Sequence, residues 1–384
     1  MSNLTRRMLL VGAGLLAAHP ARAAKSRPGP APPPPAAPVI GAALPLSGDL
    51  ALIGDECLRG IELAADAVDQ AGGIAGKPVT LVTADSFSPA QATTAVNGLI
   101  ATRHAKLVLS GGASDLSFPG SAAAELAQVP FIELNAPAAG ITTRGFHFLL
   151  RTCPTTVAIA NLAVDTIRDR FAGKKIGLLY NTGATASAIA TAATAALKRA
   201  NLPIQLAIGY APDVADLIAP AGRLKRAGAE IVLHAAGPSD VLAFFLAMHG
   251  QDWKPEAVIG CGNGYALRET GAALGPLFDG TLVVATPFYP PAAAAVADAY
   301  QRRYGMAPRG PQSLTAYVGA KLVFDTLSAV RGDPAKLLDA LRRTNIPQGG
   351  LVNGWGVAFN QNGQNTRSFV SLQEWRGPAL VPAA

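Results

Sequence analysis

Between residues 39 and 92 the hydrophobic period of the chain changes from strand to helix and back, with a breaker at every change. Val39-Ile40-Gly41-Ala42-Ala43-Leu44 is an unbroken apolar run that stops at Pro45-Leu46-Ser47-Gly48. Proline cannot donate to a strand ladder and glycine turns the backbone, so a strand ends there. From Gly54 onward Leu58, Ile61, Ala65 and Val68 recur at helical spacing, opposite a polar stripe of Arg59, Glu62, Asp66 and Gln70. Gly72-Gly73 closes the helix, Gly76-Lys77-Pro78 turns the chain, and 79–84 reads as a second strand. Ser88-Pro89 then has the form of an N-cap followed by proline at the first helical position. Strand, helix, strand, helix is a βαβ unit. It predicts a parallel sheet with a ligand crevice at the C-terminal ends of its strands.

Composition narrows this further. A chain of 384 residues exceeds what one core supports, so two lobes are expected. Half the residues are hydrophobic and 15% are charged, which excludes disorder and suits sheets covered on both faces. The formal charge is +7, but Arg6, Arg7 and Arg22 lie in a segment expected to be removed, leaving 7 − 3 = +4. That charge is mild and forms no basic patch, so nucleic acid is not an expected partner. Cys57, Cys153 and Cys261 are too few for a disulfide framework and lack zinc-site spacing; buried thiols are expected.

Residues 1–23 have the layout of an export signal. Thr5-Arg6-Arg7-Met8-Leu9-Leu10 is twin-arginine-like, and the apolar region to Ala18 is too short to span a membrane. Ala21-Arg22-Ala23 places small residues where a signal peptidase reads them; an ordinary Sec signal is the alternative. Either route leads across the membrane, so a periplasmic protein, not embedded in the membrane after cleavage, is expected. The stretch 24–38 is proline-rich and reads as an extended linker.

The ordered set Pro45-Leu46-Ser47-Gly48, Gly54, Gly60-Ile61-Glu62-Leu63-Ala64, Asp69, Gly72-Gly73-Ile74-Ala75-Gly76, and Asp85 with Pro89 resembles periplasmic solute-binding proteins. The match is to the leucine/isoleucine/valine-binding type that feeds ABC importers, and it runs from about Pro38 to the C-terminus. The resemblance implies the type I periplasmic binding fold: an α/β protein of two doubly wound parallel-sheet lobes joined by a three-segment hinge. On that basis 39–151 and 287–349 form the N-terminal lobe, and 152–286 and 350–384 the C-terminal lobe. The last crossing is expected near Gly349-Gly350, and two C-terminal strands ending at Trp375 complete the second lobe. A short helix is expected at 119–127. Relatives often carry a disulfide between two loops of the first lobe; here Phe87 and Ala113 stand at the matching places.

The crevice argument and the resemblance place the ligand together. Loops after strands, each followed by a helix start, aim unpaired backbone N–H groups at the cleft. The first lobe supplies Ser114, Asp115, Ser117, Asn135, Ala136 and Pro137; the second supplies Asn181, Thr185, Gly237 and Asn263. The resemblance also marks departures. Amino-acid-binding relatives usually have a hydroxyl near Pro137, tyrosines near Thr185 and Gly237, and an acid near Asn263. An ammonium buried without a carboxylate is costly, so neutral solutes, amides or aromatic acids are expected rather than a zwitterionic amino acid. Asp115 is the alternative charge partner.

Catalysis finds no support. Gly112-Ala113-Ser114-Asp115-Leu116 lacks the second glycine of a nucleophile elbow. His234 lies in an apolar strand and reads as a core histidine, and Gly260-Cys261-Gly262-Asn263-Gly264 misplaces the last glycine of a dinucleotide loop. The expectation is a monomeric solute-binding protein with no cofactor and no metal, partnered by a small molecule and an ABC-type permease. A periplasmic sensory module reporting to a receptor has the same fold and is the alternative.

Overall fold

The computed structural model describes residues 37–212, 214 and 216–383. The expected signal peptide, and the linker as far as residue 36, lie outside the described residues. The chain opens with β1 (Val39–Leu44), a 3-10 turn at Gly48–Leu50 and α1 (Ala51–Gln70). It continues through β2 (Thr80–Asp85), α2 (Pro89–Ala101), β3 (Leu107–Ser110), α3 (Ser114–Leu126), β4 (Phe131–Glu133) and β5 (Leu149–Arg151). A second alternation follows: α4 (Thr156–Arg170), β6 (Ile176–Asn181), α5 (Ala184–Arg199), β7 (Ile204–Tyr210), α6 (Ile218–Arg226), β8 (Ile231–Ala235) and α7 (Pro238–Gly250). Next come β9 (Ala257–Cys261), α8 (Arg268–Leu274) and β10 (Leu282–Ala285). The helices α9 (Ala294–Tyr304), α10 (Pro311–Ala329) and α11 (Leu337–Arg343) precede a terminal pair, β11 (Ser371–Arg376) and β12 (Ala379–Pro382).

The strands form two sheets. The first has the order β2-β1-β3-β4-β5 and is parallel throughout. The second has the order β12-β11-β10-β9-β8-β6-β7, with only the β10–β11 and β11–β12 pairs antiparallel. Helices cover both faces of each. In β3, Leu107 and Leu109 enter one apolar cluster and Val108 another. In β8, Ile231, Leu233 and Ala235 face one cluster and Val232 the opposite one. Two-sided burial is why these strands read as continuous apolar runs rather than alternating ones.

The motif residues have structural work of their own. Asp85 at the end of β2 accepts from Leu46 N–H at 2.8 Å and from the Ser47 hydroxyl at 2.5 Å, which fixes the turn after β1. Asp69 accepts from Val79 N–H at 2.8 Å and ties the end of α1 to the start of the next strand segment. A Cβ on Gly60 would sit 2.1 Å from the Ser313 carbonyl, so α1 and α10 cross with their backbones in contact there.

Three expectations need correction. First, α3 begins at Ser114 and carries Pro119 inside it, rather than starting at 119. A proline interior to a helix forfeits its own backbone bond and crowds the carbonyl four residues back, and here the preceding turn is held by packing: Ser114, Leu116 and Ser117 are all buried. Second, the final strand pair extends beyond Trp375, because β12 folds back on β11 through a turn at Gly377. Third, the last passage between the sheets comes later than Gly349-Gly350. Ile346 pairs with Val357, Val357 lies in the first-sheet core, and Gly363 accepts from Arg151 N–H at 2.8 Å. The chain joins the second sheet only at β11.

Candidate functional site

The C-terminal ends of the central strands of both sheets face one another, and two neighbouring chambers lie between their loops. The inner, a separate neighbour of the outer, is small, about 40 Å³, and is walled by Asn135, Pro137, Cys153, Ile159, Thr286 and Gln312 among others. The outer is about 300 Å³, within the range of small-molecule sites, and Asp49, Phe87, Asp115, Asn181, Gly237 and Asp240 line it. Thr185, Gly262 and Asn263 line both, so the chambers are neighbours.

Seven of the ten residues chosen from the sequence therefore converge. Asp115, Asn181 and Gly237 line the outer chamber, Asn135 and Pro137 the inner, and Thr185 and Asn263 both. The other three lie outside the chamber walls. Ser114 is fully buried, and its hydroxyl accepts from Ala138 N–H at 3.1 Å. Ser117 is fully buried on the inward face of α3, beside the Glu133 carboxylate. Ala136 donates its N–H to Glu133 Oε1 at 2.8 Å and its carbonyl accepts from Arg151 at 3.2 Å. All three shape the loops without facing the space between them.

The loops from the two sheets meet directly. Ser114 N–H donates to Thr185 Oγ1 at 3.0 Å, Ala184 N–H donates to Asp115 Oδ1 at 2.8 Å, and Asn263 Nδ2 donates to the Gly112 carbonyl at 2.7 Å. Thr185, at the position where the family resemblance leads one to expect tyrosine, thus caps α3 from the opposite side. Some of the N–H groups at the helix starts that the sequence offered as anion sites are consequently taken. At α5, Gly183 N–H also donates to Asn181 Oδ1 at 3.0 Å, and at α7, Gly237 N–H donates to Asp240 Oδ2 at 3.1 Å.

Asp240 is the residue that sequence reasoning missed. It stands three positions after the N-cap Gly237 and reaches back to it, as an acid at that position does. It also accepts from Asn181 Nδ2 at 2.6 Å and from the Tyr210 hydroxyl. Burial raises its carboxyl pKa above the ordinary value. Behind it Tyr210 meets His234 Nε2 at 2.8 Å, and His234 Nδ1 meets the Tyr265 hydroxyl at 2.6 Å. Burial pushes the His234 pKa down to about 3, so the ring is neutral with both nitrogens partnered. With Tyr210 donating to Asp240, His234 Nε2–H donates to Tyr210 and Tyr265 donates to Nδ1, an assignment made from the network. His234 is a core histidine, and its chain of hydrogen bonds ends on a cleft carboxylate.

Gln312, at the start of α10, was also missed; it is 3% exposed and its Oε1 has no donor. The three cysteines are free and buried, with Cys153 and Cys261 each pushed up to about 12 by burial. Neither is a nucleophile at neutral pH. Among the described residues no group of His, Cys, Asp or Glu is placed to hold a metal ion, and no helix is long and apolar enough to cross a membrane.

The comparisons agree with this architecture. A model of the family described as periplasmic binding protein matches residues 38–377. The Leu/Ile/Val-binding protein homolog 8 of Brucella abortus is 34% identical over 358 residues, covering 89% of each chain. Homolog 7 of the same organism is 32% identical, covering 89% of this chain and 90% of its own. Among solved structures, a leucine-binding protein from Thermotoga maritima superposes with a TM-score of 0.80 at 17% identity, over 90% of this chain and 98% of that one. A solute-binding protein of an ABC transporter from R. palustris, in complex with 4-hydroxybenzoate, gives 0.78 at 20% identity, over 90% and 95%. These relatives are binding proteins, not enzymes. Sheet order, facing loops and sequence similarity together place the chain in the periplasmic binding protein family, among homologues of the Leu/Ile/Val-binding type.

Proposed function

We propose that this protein is an extracytoplasmic solute-binding protein that captures one small molecule between two lobes and delivers it to the permease of an ABC importer. The observation that carries this is the 300 Å³ chamber bounded by loops of both sheets, closed by hydrogen bonds that run from one sheet's loops to the other's. A ligand that touches both sides only when they meet stabilises the closed form by its differential affinity. We place one lobe at 39–151 with 287–365, and the other at 152–286 with 371–384, the hinge passing near Arg151, Thr286 and Phe369. Export to the periplasm and a monomeric state complete the reading.

The ligand departs from a branched-chain amino acid. Pro137 has no N–H, and Ser114 N–H at the start of α3 and Gly183 and Ala184 N–H at the start of α5 are already bonded to Thr185, Asn181 and Asp115, which removes those three donors from a ligand carboxylate. A thermal-shift and calorimetric screen of amino acids, amides, amines, aromatic acids and polyols tests the proposal. A ligand at about a hundred times its Kd adds roughly 2.7 kcal/mol. Tight binding of leucine or valine would refute the altered specificity, and no saturable binding of any solute would refute capture itself.

A further inference from the structure

We infer that Tyr289 is a strained torsion in the passage between the two lobes, left-handed while the loops of the cleft meet, so that its relaxation favours opening. This rests on the capture reading above and adds a device that sets how far the free protein closes. Tyr289 has a φ of 42°, where a bulky residue is a genuine outlier. The other non-glycine residues with positive φ among the described residues are Ala75, His104, Gln128, Asn201, Asp252 and Arg331. Each of those lies in the turn after a helix, where a left-handed residue is an ordinary terminator. Tyr289 instead follows β10 and precedes Pro290, and a residue before proline is driven toward extended backbone. No local signal asks for this conformation, so tertiary contacts impose it.

Those contacts fix the backbone on either side of the torsion. Before it, Phe288 N–H donates to Gln373 Oε1 at 3.2 Å and Gln373 Nε2 donates to the Thr286 carbonyl at 3.2 Å, which ties the passage to β11 of the second sheet. After it, Ala293 is fully buried in an apolar cluster with Leu63 of α1 and Leu314 and Val318 of α10. The side chain adds an anchor to the same side. The Tyr289 hydroxyl meets Ser313 Oγ at 2.9 Å, and Ser313 Oγ donates to Glu56 Oε2 at 2.7 Å, so Tyr289 is the donor to Ser313. Glu56 is fully buried on α1 and its other oxygen accepts from the Tyr300 hydroxyl of α9, which makes the anchor a fixed point of the first lobe. The N–Cα bond of Tyr289 therefore lies between a backbone group held by one lobe and a side chain held by the other. In the arrangement with Ser114, Asp115 and Asn263 bonded across the cleft, the backbone path forces that bond left-handed, and the anchor offsets part of the cost. A left-handed non-glycine residue costs enough to move a two-state equilibrium several-fold.

The test reads the separation of the lobes in the purified, ligand-free protein by pulsed electron-spin resonance. Nitroxide labels go on Gln91→Cys of α2 and Thr191→Cys of α5, both exposed, while the three native cysteines are buried. Tyr289→Gly and Tyr289→Ala both lose the ring and the anchor, but only glycine takes a positive φ without a Cβ penalty. The ratio of short to long separations is expected about fivefold or more higher in Tyr289→Gly than in Tyr289→Ala. Tyr289→Phe keeps the ring and the strained backbone and removes the anchor, and its ratio is expected about fivefold below that of the parent. Loss of stability common to the variants does not produce this order, because the distances are read in folded protein. Equal ratios in Tyr289→Gly and Tyr289→Ala, or in Tyr289→Phe and the parent, overturn the strained torsion and leave capture standing. A single separation in all four proteins, unmoved by any solute of the screen above, overturns both.

Discussion

Glu133 and Arg151 show how single buried polar residues build the loops of the cleft. Glu133 is fully buried, and its Oε1 accepts from Asn135 N–H at 2.9 Å and Ala136 N–H at 2.8 Å. Burial raises its carboxyl pKa above 4.5. The folded state then binds that proton more tightly than the unfolded state, so its contribution to stability falls as pH rises from about 4.5 through the folded value. His234, with its pKa pushed down to about 3, has the opposite sign: its contribution is lost as pH falls below 6.5. Glu133→Gln keeps an Oε1 acceptor and removes the charge, so urea midpoints at pH 5 to 8 should slope less steeply downward than in the parent. Parallel curves would show that Glu133 titrates as in the unfolded chain. Arg151 is fully buried and donates to Gln364 Oε1 at 2.5 Å, to the Ala138 carbonyl at 2.6 Å and to the Ala136 carbonyl at 3.2 Å. Lysine cannot reproduce that fork, and Arg151→Lys should cost about 2–4 kcal/mol in chemical denaturation. The sequence marked position 151 only as the end of the first segment of the N-terminal lobe. One of its partners, Gln364, is more than two hundred residues away, and no local pattern announces such a pairing.

At the scale of elements, period and punctuation carried most of the information. β1, β2 and the start of α2 fall where apolar runs and breakers predict. Ser88 accepts from Gln91 N–H at 3.3 Å with Pro89 in the first turn, as its dipeptide implied. The start of α3 was not legible, because Pro119 is a strong local signal for a helix start and burial of Ser114 and Leu116 overrides it. Glycines test how far packing, rather than propensity, fixes the helices. A Cβ on Gly60 would lie 2.1 Å from a backbone carbonyl of α10, whereas one on Gly98 meets nothing within 4 Å. Gly60→Ala should therefore destabilise by about 3 kcal/mol or a little more, since two backbones must separate. Gly98→Ala should stabilise by about 0.5–1 kcal/mol through helix propensity. Equal effects in thermal denaturation would refute the close crossing of α1 and α10.

At the scale of the whole molecule the two sheets are held together away from the chambers as well as at them. Arg309 pairs with Asp55 on α1 at 2.6 Å and with Glu269 on α8 at 3.0 Å, and its carbonyl accepts from Arg268 N–H at 2.8 Å. We predict that Arg309→Ala shifts the ligand-free protein toward an open form and weakens ligand binding by the fraction of closed form lost, about two- to tenfold. Small-angle scattering should then show a larger radius of gyration without ligand and a normal one with it; an unchanged ligand-free radius would refute a latch at Arg309. The sequence by itself determined the class of fold, the two alternating halves and the facing loops. These depend on local period, on glycine and proline chemistry and on the need to bury apolar strands, all of which are written in neighbouring residues. It also brought Asp115, Asn181, Thr185, Gly237 and Asn263 to one chamber, because loops after parallel strands share one edge of a sheet. Only the tertiary structure decided which groups in that chamber remain free. Whether a helix N–H is open to a ligand depends on what the opposite loop offers it. Here Thr185 and Asp115 each take a donor at a helix start from across the cleft, and Asp240 takes one on its own helix.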